Sequence, residues 1–115
     1  MLYDQHQVAA GAGQRIEAKG LAERCEIVEG DFFEFVPGGA DAYILKYIIH
    51  DWDDKSLVIL RNCHRAIAKE AKLLIVETIV PPPGEPHLAK VADLEMLILL
   101  GSRERTREQY ETLLR

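Results

Sequence analysis

The sequence predicts an α/β domain with a mostly parallel sheet, and three observations carry that expectation. Apolar runs that read as strands alternate with segments of helical period, in the order strand, helix, strand, strand, helix, strand, helix, helix. Two of the runs, "AYILKY" and "KLLIVETIV", are nearly continuous in branched, aromatic and leucine side chains, the composition of strands buried on both faces. Distinctive polar residues recur where strands end: Asp4, Asp31, His50 and Glu77. Open α/β sheets bind ligands at the carboxyl ends of their strands.

The elements follow in order. "MLY" is a very short apolar run that stops at Asp4. From His6 to Lys19 the pattern is helical, with Val8, Ala9, Ala12 and Ile16 on one face, and Gly20 ends it. "GAG" at 11–13 resembles the start of a phosphate loop, but it lies inside this helical pattern and has no third glycine at the required spacing. It reads as a close-packing or weakened helix site. "CEIVEG" alternates like a strand up to Gly30-Asp31, and "FVPGGAD" is a turn cluster. After "AYILKY", Asp53 stands as the N-cap of a helix, with Trp52 and Leu57 at the staple positions. Leu57, Leu60, His64 and Ile67 share one face of that helix, with Cys63 beside them. "KLLIVETIV" is the next buried strand, "PPPGEP" a stiff loop and "LAKVADLEMLILL" a mostly buried helix. "GSRERT" is a turn, and Thr106 with Gln109 has capping-box spacing for a last helix running to Arg115.

Bulk properties narrow the function classes. With 115 residues and 48% hydrophobic composition the chain suits one small domain with a modest core. Its net charge is −5, and no basic tract offers a footprint for nucleic acid. "LEMLILL" falls far short of the roughly 20 apolar residues that cross a bilayer, and the N-terminus has no signal-peptide pattern. A cytoplasmic protein without a membrane or nucleic-acid partner is expected. Cys25 and Cys63 form no CxxC pair, and His64 lacks the partners a zinc site needs, so both read as buried thiols in a reducing compartment.

The most informative stretch is "IIHDWDD", residues 48–54, where an apolar run ends on an imidazole ringed by carboxylates. One reading is a strand end followed by a helix cap. The other is a general base, because histidine titrates near neutrality. Asp4 admits two readings as well: a cap for the next helix, or a carboxylate accepting from both hydroxyls of a ribose.

"LYDQ", "GDFFE", "LKYIIHDWDD", "LLIVETIVPP" and "GSRERT", in this order, resemble the S-adenosylmethionine-dependent small-molecule O-methyltransferases of plant phenolic and bacterial polyketide type. The resemblance covers nearly the whole chain. "HDW" ahead of a helix together with "ERT" downstream is its specific part; "GD" alone is weak. The resemblance implies a partial Rossmann-like methyltransferase fold with a mostly parallel sheet. It implies S-adenosyl-L-methionine as cofactor, no metal, and a hydroxyl of a phenolic or polyketide small molecule as methyl acceptor. Position by position, it assigns Asp4 to the cofactor ribose, Asp31 and Phe32 to the adenine, and Lys46 to the neighbourhood of the cofactor. It makes His50 the general base and Glu77 and Glu104 the two acids that flank and orient it. Asp51 is placed toward the pocket, and Met96 near a substrate-lining methionine. His6, His64 and His87 gain no such support.

Family members also carry an N-terminal helical dimerisation domain, a first strand with a glycine-rich loop, and further final strands. The sequence reading therefore expects residues 1–115 to be one part of a methyltransferase domain. Such a part lacks the first and last strands, would be homodimeric in full-length form, and would be inactive by itself. A truncated, non-catalytic module that completes its sheet with another chain is the alternative, and a minimal nucleotide-binding domain unrelated to methyl transfer is a third reading.

Overall fold

A computed structural model describes residues 1–115 throughout. Its elements are β1 (Leu2–Asp4), α1 (His6–Ala18), β2 (Ile27–Glu29), β3 (Ala42–Lys46), α2 (Ser56–Ala66), β4 (Lys72–Val76), α3 (Ala89–Leu100) and α4 (Arg107–Leu113). The order is the one the sequence predicts.

Pairing is parallel, but the strands form two separate two-stranded sheets rather than one. In the first, Leu2, Tyr3 and Asp4 of β1 face Ile27, Val28 and Glu29 of β2, with α1 as the crossover. In the second, β3 runs beside β4 from Ala42↔Lys72 to Lys46↔Val76, with α2 as the crossover. Each sheet is thus one βαβ unit. No ladder joins β1 to β3. Between them lies an apolar cavity of about 330 Å³, lined by residues of both, among them Leu2, Tyr3, Tyr43 and Leu45.

The core sits against β3, β4, α2 and α4. Ile49, Ile59, Cys63 and Tyr110 are buried together, with Phe33, Leu45, Trp52, Leu73 and Ile75 packed around them. Cys63 is a buried thiol as expected, while Cys25 is half-buried. Tyr43, Leu45, Leu73 and Ile75 are the half-buried residues of their strands. Ile44, Leu74 and Val76 alternate with them and are exposed. The expectation that both strands are buried on two faces is therefore corrected: only one face is covered, because no element of residues 1–115 lies over the other.

The buried side of α2 also differs from its predicted side. Ser56, Ile59, Asn62 and Cys63 are buried, whereas Leu57 and His64 are exposed. Asn62 belongs inside because its side-chain amide donates 2.9 Å hydrogen bonds to the carbonyls of both Phe32 and Phe33. Those bonds tie the loop after β2 to the helix and satisfy two carbonyls that burial would otherwise strand. Helix α3 was expected to be mostly buried, yet only Ala89 is, and Leu94, Leu97, Ile98 and Leu99 stand largely in the open. A helix that is apolar all round needs cover on every side, and these residues supply it on one.

The predicted cap of α4 is present. Gln109 N donates to Thr106 Oγ1 at 3.3 Å and Thr106 N donates to Gln109 Oε1 at 2.8 Å, a reciprocal capping box. Gly20 follows α1 with a φ of 65°, in the left-handed region that glycine enters without steric cost. Gly30 gives room to the Tyr3 ring: a Cβ there would stand 2.5 Å from the Tyr3 hydroxyl, so the ring would have to shift. No helix is long and apolar enough to cross a membrane.

Candidate active site

The site forms where β3 and β4 end. Tyr47, just past β3, has a φ of 52°, a left-handed conformation unusual for a non-glycine residue. Its amide still bonds to the Val76 carbonyl at 3.0 Å, so the ladder is kept while the chain swings out of the sheet. A short 3-10 turn, Ile49–Asp51, follows. Glu77, the residue after β4, holds its start: Oε1 accepts from Ile48 N at 3.0 Å and from Ile49 N at 2.8 Å. The carboxylate thereby takes two amides that have no partner within the turn.

That anchoring aims His50 at two buried acids. Its Nδ1 lies 2.9 Å from Glu104 Oε1 and 3.8 Å from Glu77 Oε2. The Glu77 and Glu104 side chains are only 1% and 3% exposed, and the ring is 14% exposed. Ionised carboxylates only accept hydrogen bonds, so Nδ1 carries the proton and donates it to Glu104. Nε2 points the other way and stands 3.3 Å from Asp51 Oδ1. The Tyr47 ring leans on the imidazole at a centroid distance of 5.6 Å.

Burial of the imidazole works against its charged form. The hydrogen bond to Glu104 and the charges of Glu77, Glu104 and Asp51 outweigh burial, so the His50 pKa lies above its ordinary value. Burial likewise raises the pKa of Glu77, against the lowering effect of the amides it accepts from and of His50. Glu77 Oε2 and Glu104 Oε2 are buried without a hydrogen-bond partner. The site thus holds an excess of acceptors, which a proton on His50 offsets. His50, Glu77 and Glu104 could each offer one ligand atom to a metal, all within 4.8 Å of one another. A cation there would have to displace the Nδ1 proton, because it would need the same lone pair.

Glu104 reaches His50 from the turn after α3. Its amide donates to Asp93 Oδ1 at 2.9 Å, which fixes that turn against the helix. Asp53 does not cap α2 as expected. Lys55 occupies the cap position without a side-chain bond, and the Asp53 carboxylate instead pairs with Arg103 and lies 3.5 Å from Arg105 Nη2. The turn 53–55 that precedes α2 carries Asp53 away from the helix start, toward the arginines.

The cofactor-binding candidates lie nearer β1. Asp4, Phe32 and Lys46 line the cavity between the sheets. Asp4 Oδ1 accepts from Gln5 N at 2.8 Å, leaving its second oxygen for another donor. Phe32 packs edge-on against Phe33 and Trp52. Lys46 is exposed, with Nζ 5.5 Å from the centre of the Tyr47 ring. Asp31 is not part of the cavity wall; its Oδ1 accepts from Phe33 N at 2.8 Å and shapes the turn that presents Phe32. Met96 is half-buried on α3, the helix that packs beside the His50 turn.

The structure thus places a strand-end carboxylate and an aromatic side chain at the cavity between the sheets, and a buried imidazole–carboxylate cluster at the ends of β3 and β4. A sequence profile of the O-methyltransferase domain matches residues 1–115, and the chain belongs to that family. Among its relatives, phenazine O-methyltransferase PhzM of Lysobacter antibioticus is 50% identical over 114 residues, covering 98% of this chain and 33% of that protein. The 8-amino-8-demethylriboflavin N,N-dimethyltransferase of Streptomyces davaonensis is 41% identical over 117 residues, covering 99% and 33%. A solved structure of NcsB1, an O-methyltransferase of neocarzinostatin biosynthesis, superimposes with a TM-score of 0.85 at 34% identity, covering 96% of this chain and 33% of that one. It holds S-adenosyl-L-homocysteine and 1,4-dihydroxy-2-naphthoic acid. The chain therefore spans about a third of the length of these relatives.

Proposed function

We propose that these residues form the base-bearing part of a methyltransferase domain of partial Rossmann-like fold. It would carry a methyl group from S-adenosyl-L-methionine to a hydroxyl of a phenolic or polyketide-type small molecule. The observation that carries this reading is the 2.9 Å contact between His50 Nδ1 and the buried Glu104 carboxylate.

The residues present fit part of the cofactor. The unused Asp4 oxygen suits the ribose hydroxyls, Phe32 offers an aromatic face to the adenine beside Asp31, and Lys46 places a cation at the rim of the cavity. When bound, the cofactor supplies a methyl group already activated by its sulfonium sulfur. The chain's task is then to remove a proton and hold the reactants in line. The acceptor hydroxyl takes the place of the Asp51 contact at His50 Nε2. Its proton passes to Nε2 as the oxygen becomes nucleophilic, and Glu104 and Glu77 stabilise the imidazolium that results. Asp51 and Met96 border the acceptor's approach.

The relation to an N,N-dimethyltransferase makes the acceptor atom a point to test. A full-length methyltransferase that carries these residues, called the full chain below, should label phenolic oxygen when given labelled S-adenosylmethionine and matched panels of phenols and aromatic amines. Labelling of amines alone would overturn the hydroxyl assignment.

A second reading rests on a different observation. The cavity between β1 and β3 and the exposed face of Ile44, Leu74 and Val76 leave apolar surface uncovered. A further strand joining β1 to β3 would cover part of it, whether from the same longer chain or from a partner that completes a non-catalytic module. A homodimer is the assembly we propose for the enzyme, so association is common to both readings and turnover separates them: the enzyme methylates its acceptor, and the module does not.

A further inference from the structure

We infer that Arg105 is a positioning residue for His50, holding the backbone of the base while its neighbour Glu104 holds the ring. The inference rests on the reading of His50 as the base. Arg105 is 5% exposed, and its guanidinium donates mainly to main-chain carbonyls. Nη1 donates to Ile49 O at 3.0 Å, and Nη2 donates to Trp52 O at 3.0 Å, with Asp53 O at 3.4 Å. Ile49 and Trp52 lie on either side of His50 in the chain. The guanidinium therefore bridges the turn that presents the imidazole from its first residue to the residue beyond its last.

The planar fork suits this bridge because its two terminal nitrogens donate from separate, fixed positions, whereas lysine gathers its donors on one nitrogen at the end of a flexible stem. The Arg105 backbone is also tethered, since Val80 N donates to its carbonyl at 3.0 Å and Ile79 pairs with it in a parallel bridge. Ile79 lies two residues beyond Glu77. One short segment, Glu104-Arg105, thus links the ring of the base, the turn that bears it, and the strand end that supplies its second carboxylate. Arg103 makes no such link: it is half exposed and pairs with the Asp53 side chain.

The test uses the full chain with Arg105→Lys and Arg105→Gln, and Arg103→Lys as a control. A displacement of about 1 Å at a reacting group costs about 10²-fold in rate. Arg105→Lys should therefore lower kcat by about that factor, while KM for cofactor and acceptor moves by less than about threefold. The control should keep parental kcat. Nitrogen-15 spectra of the His50 ring give a reading independent of turnover. The unsubstituted chain should show Nδ1 protonated and hydrogen-bonded, and Arg105→Lys should lose that signature. An unchanged His50 spectrum together with parental kcat overturns the inference, and so does a loss expressed wholly in KM. If His50→Gln retains turnover, the base reading fails, yet the ring spectra still decide whether Arg105 orients His50. If neither Arg105 variant folds, the unsubstituted chain decides. Resolved, slowly exchanging Arg105 Nη hydrogens support the clamp, and a freely averaging guanidinium refutes it.

Discussion

Glu104 Oε1 stands 2.9 Å from His50 Nδ1, although the two residues are 54 positions apart in sequence. The contact fixes the ring's orientation and its tautomer. A carboxylate that can only accept leaves the proton on Nδ1 and turns the Nε2 lone pair outward. Glu77 backs the same nitrogen at 3.8 Å while bonding to two amides of the His50 turn, so one acid orients the ring and the other anchors its backbone.

The pH dependence follows from the raised His50 pKa. A base works in its neutral form, so turnover limited by proton removal should rise through a midpoint above 6.5, the ordinary histidine value. Glu77→Gln keeps an oxygen for the Ile48 and Ile49 amides and removes one of the charges that raise His50. Its pH–rate midpoint should move to lower pH. A midpoint that stays in place or rises contradicts the proposed electrostatics.

Stability runs the opposite way with pH. A histidine whose folded pKa is raised stabilises the fold fully below its unfolded value and loses that contribution as pH rises through the folded value. Glu77, also raised, acts in the same direction, but over a window that opens at its own ordinary value of 4.5. Over the window upward from 6.5, unfolding free energy should fall with pH, and His50→Gln should flatten the slope. Urea titrations at several pH values measure this directly, and an unflattened slope in the variant would count against it.

Asp4 is proposed to hold the cofactor ribose. Asp4→Ala in the full chain should weaken S-adenosylmethionine binding and leave binding of the acceptor alone little changed. Calorimetry showing parental cofactor affinity would refute this placement.

The capping box offers a purely structural check. Thr106→Ala removes the side-chain oxygen that accepts from Gln109 N, and loss of such a cap costs about 1 kcal/mol. Because α4 supplies Tyr110 to the core, the loss should appear in global unfolding. A variant as stable as the parent would show that α4 contributes nothing to the cooperative unit.

The sequence made the order of elements legible because the patterns are local. Alternation marks β2, the 3.6-residue period marks α1, and Thr106 with Gln109 marks the start of α4. Burial was less legible. Ile44 and Leu94 are as apolar as core residues, but exposure depends on what covers them, and no local pattern records that. Asp53 was misread because a cap and a surface ion-pair partner look alike until Arg103 and Arg105 come into view. Within the site, His50, Glu77 and Glu104 were named from the resemblance, and only the fold brings them to one nitrogen. Arg105 was missed, although it sits inside the "ERT" motif that marked Glu104. No local signal set it apart, because Arg103 and Arg107 stand two residues to either side of it with Glu104 and Glu108 nearby. Asn62 did leave a trace, as a polar residue one turn after Ile59 on the buried side of α2.

The most direct test of the account is turnover by His50→Gln beside the parental full chain, with cofactor affinity measured on both. Glutamine keeps a polar side chain of similar length but cannot take up the acceptor's proton. The account predicts that kcat falls by roughly 10²–10⁴-fold, the usual contribution of general acid–base catalysis, with the Kd for S-adenosylmethionine unchanged. Near-parental turnover in that variant would mean that His50 only shapes its turn, and that the proton leaves by another route.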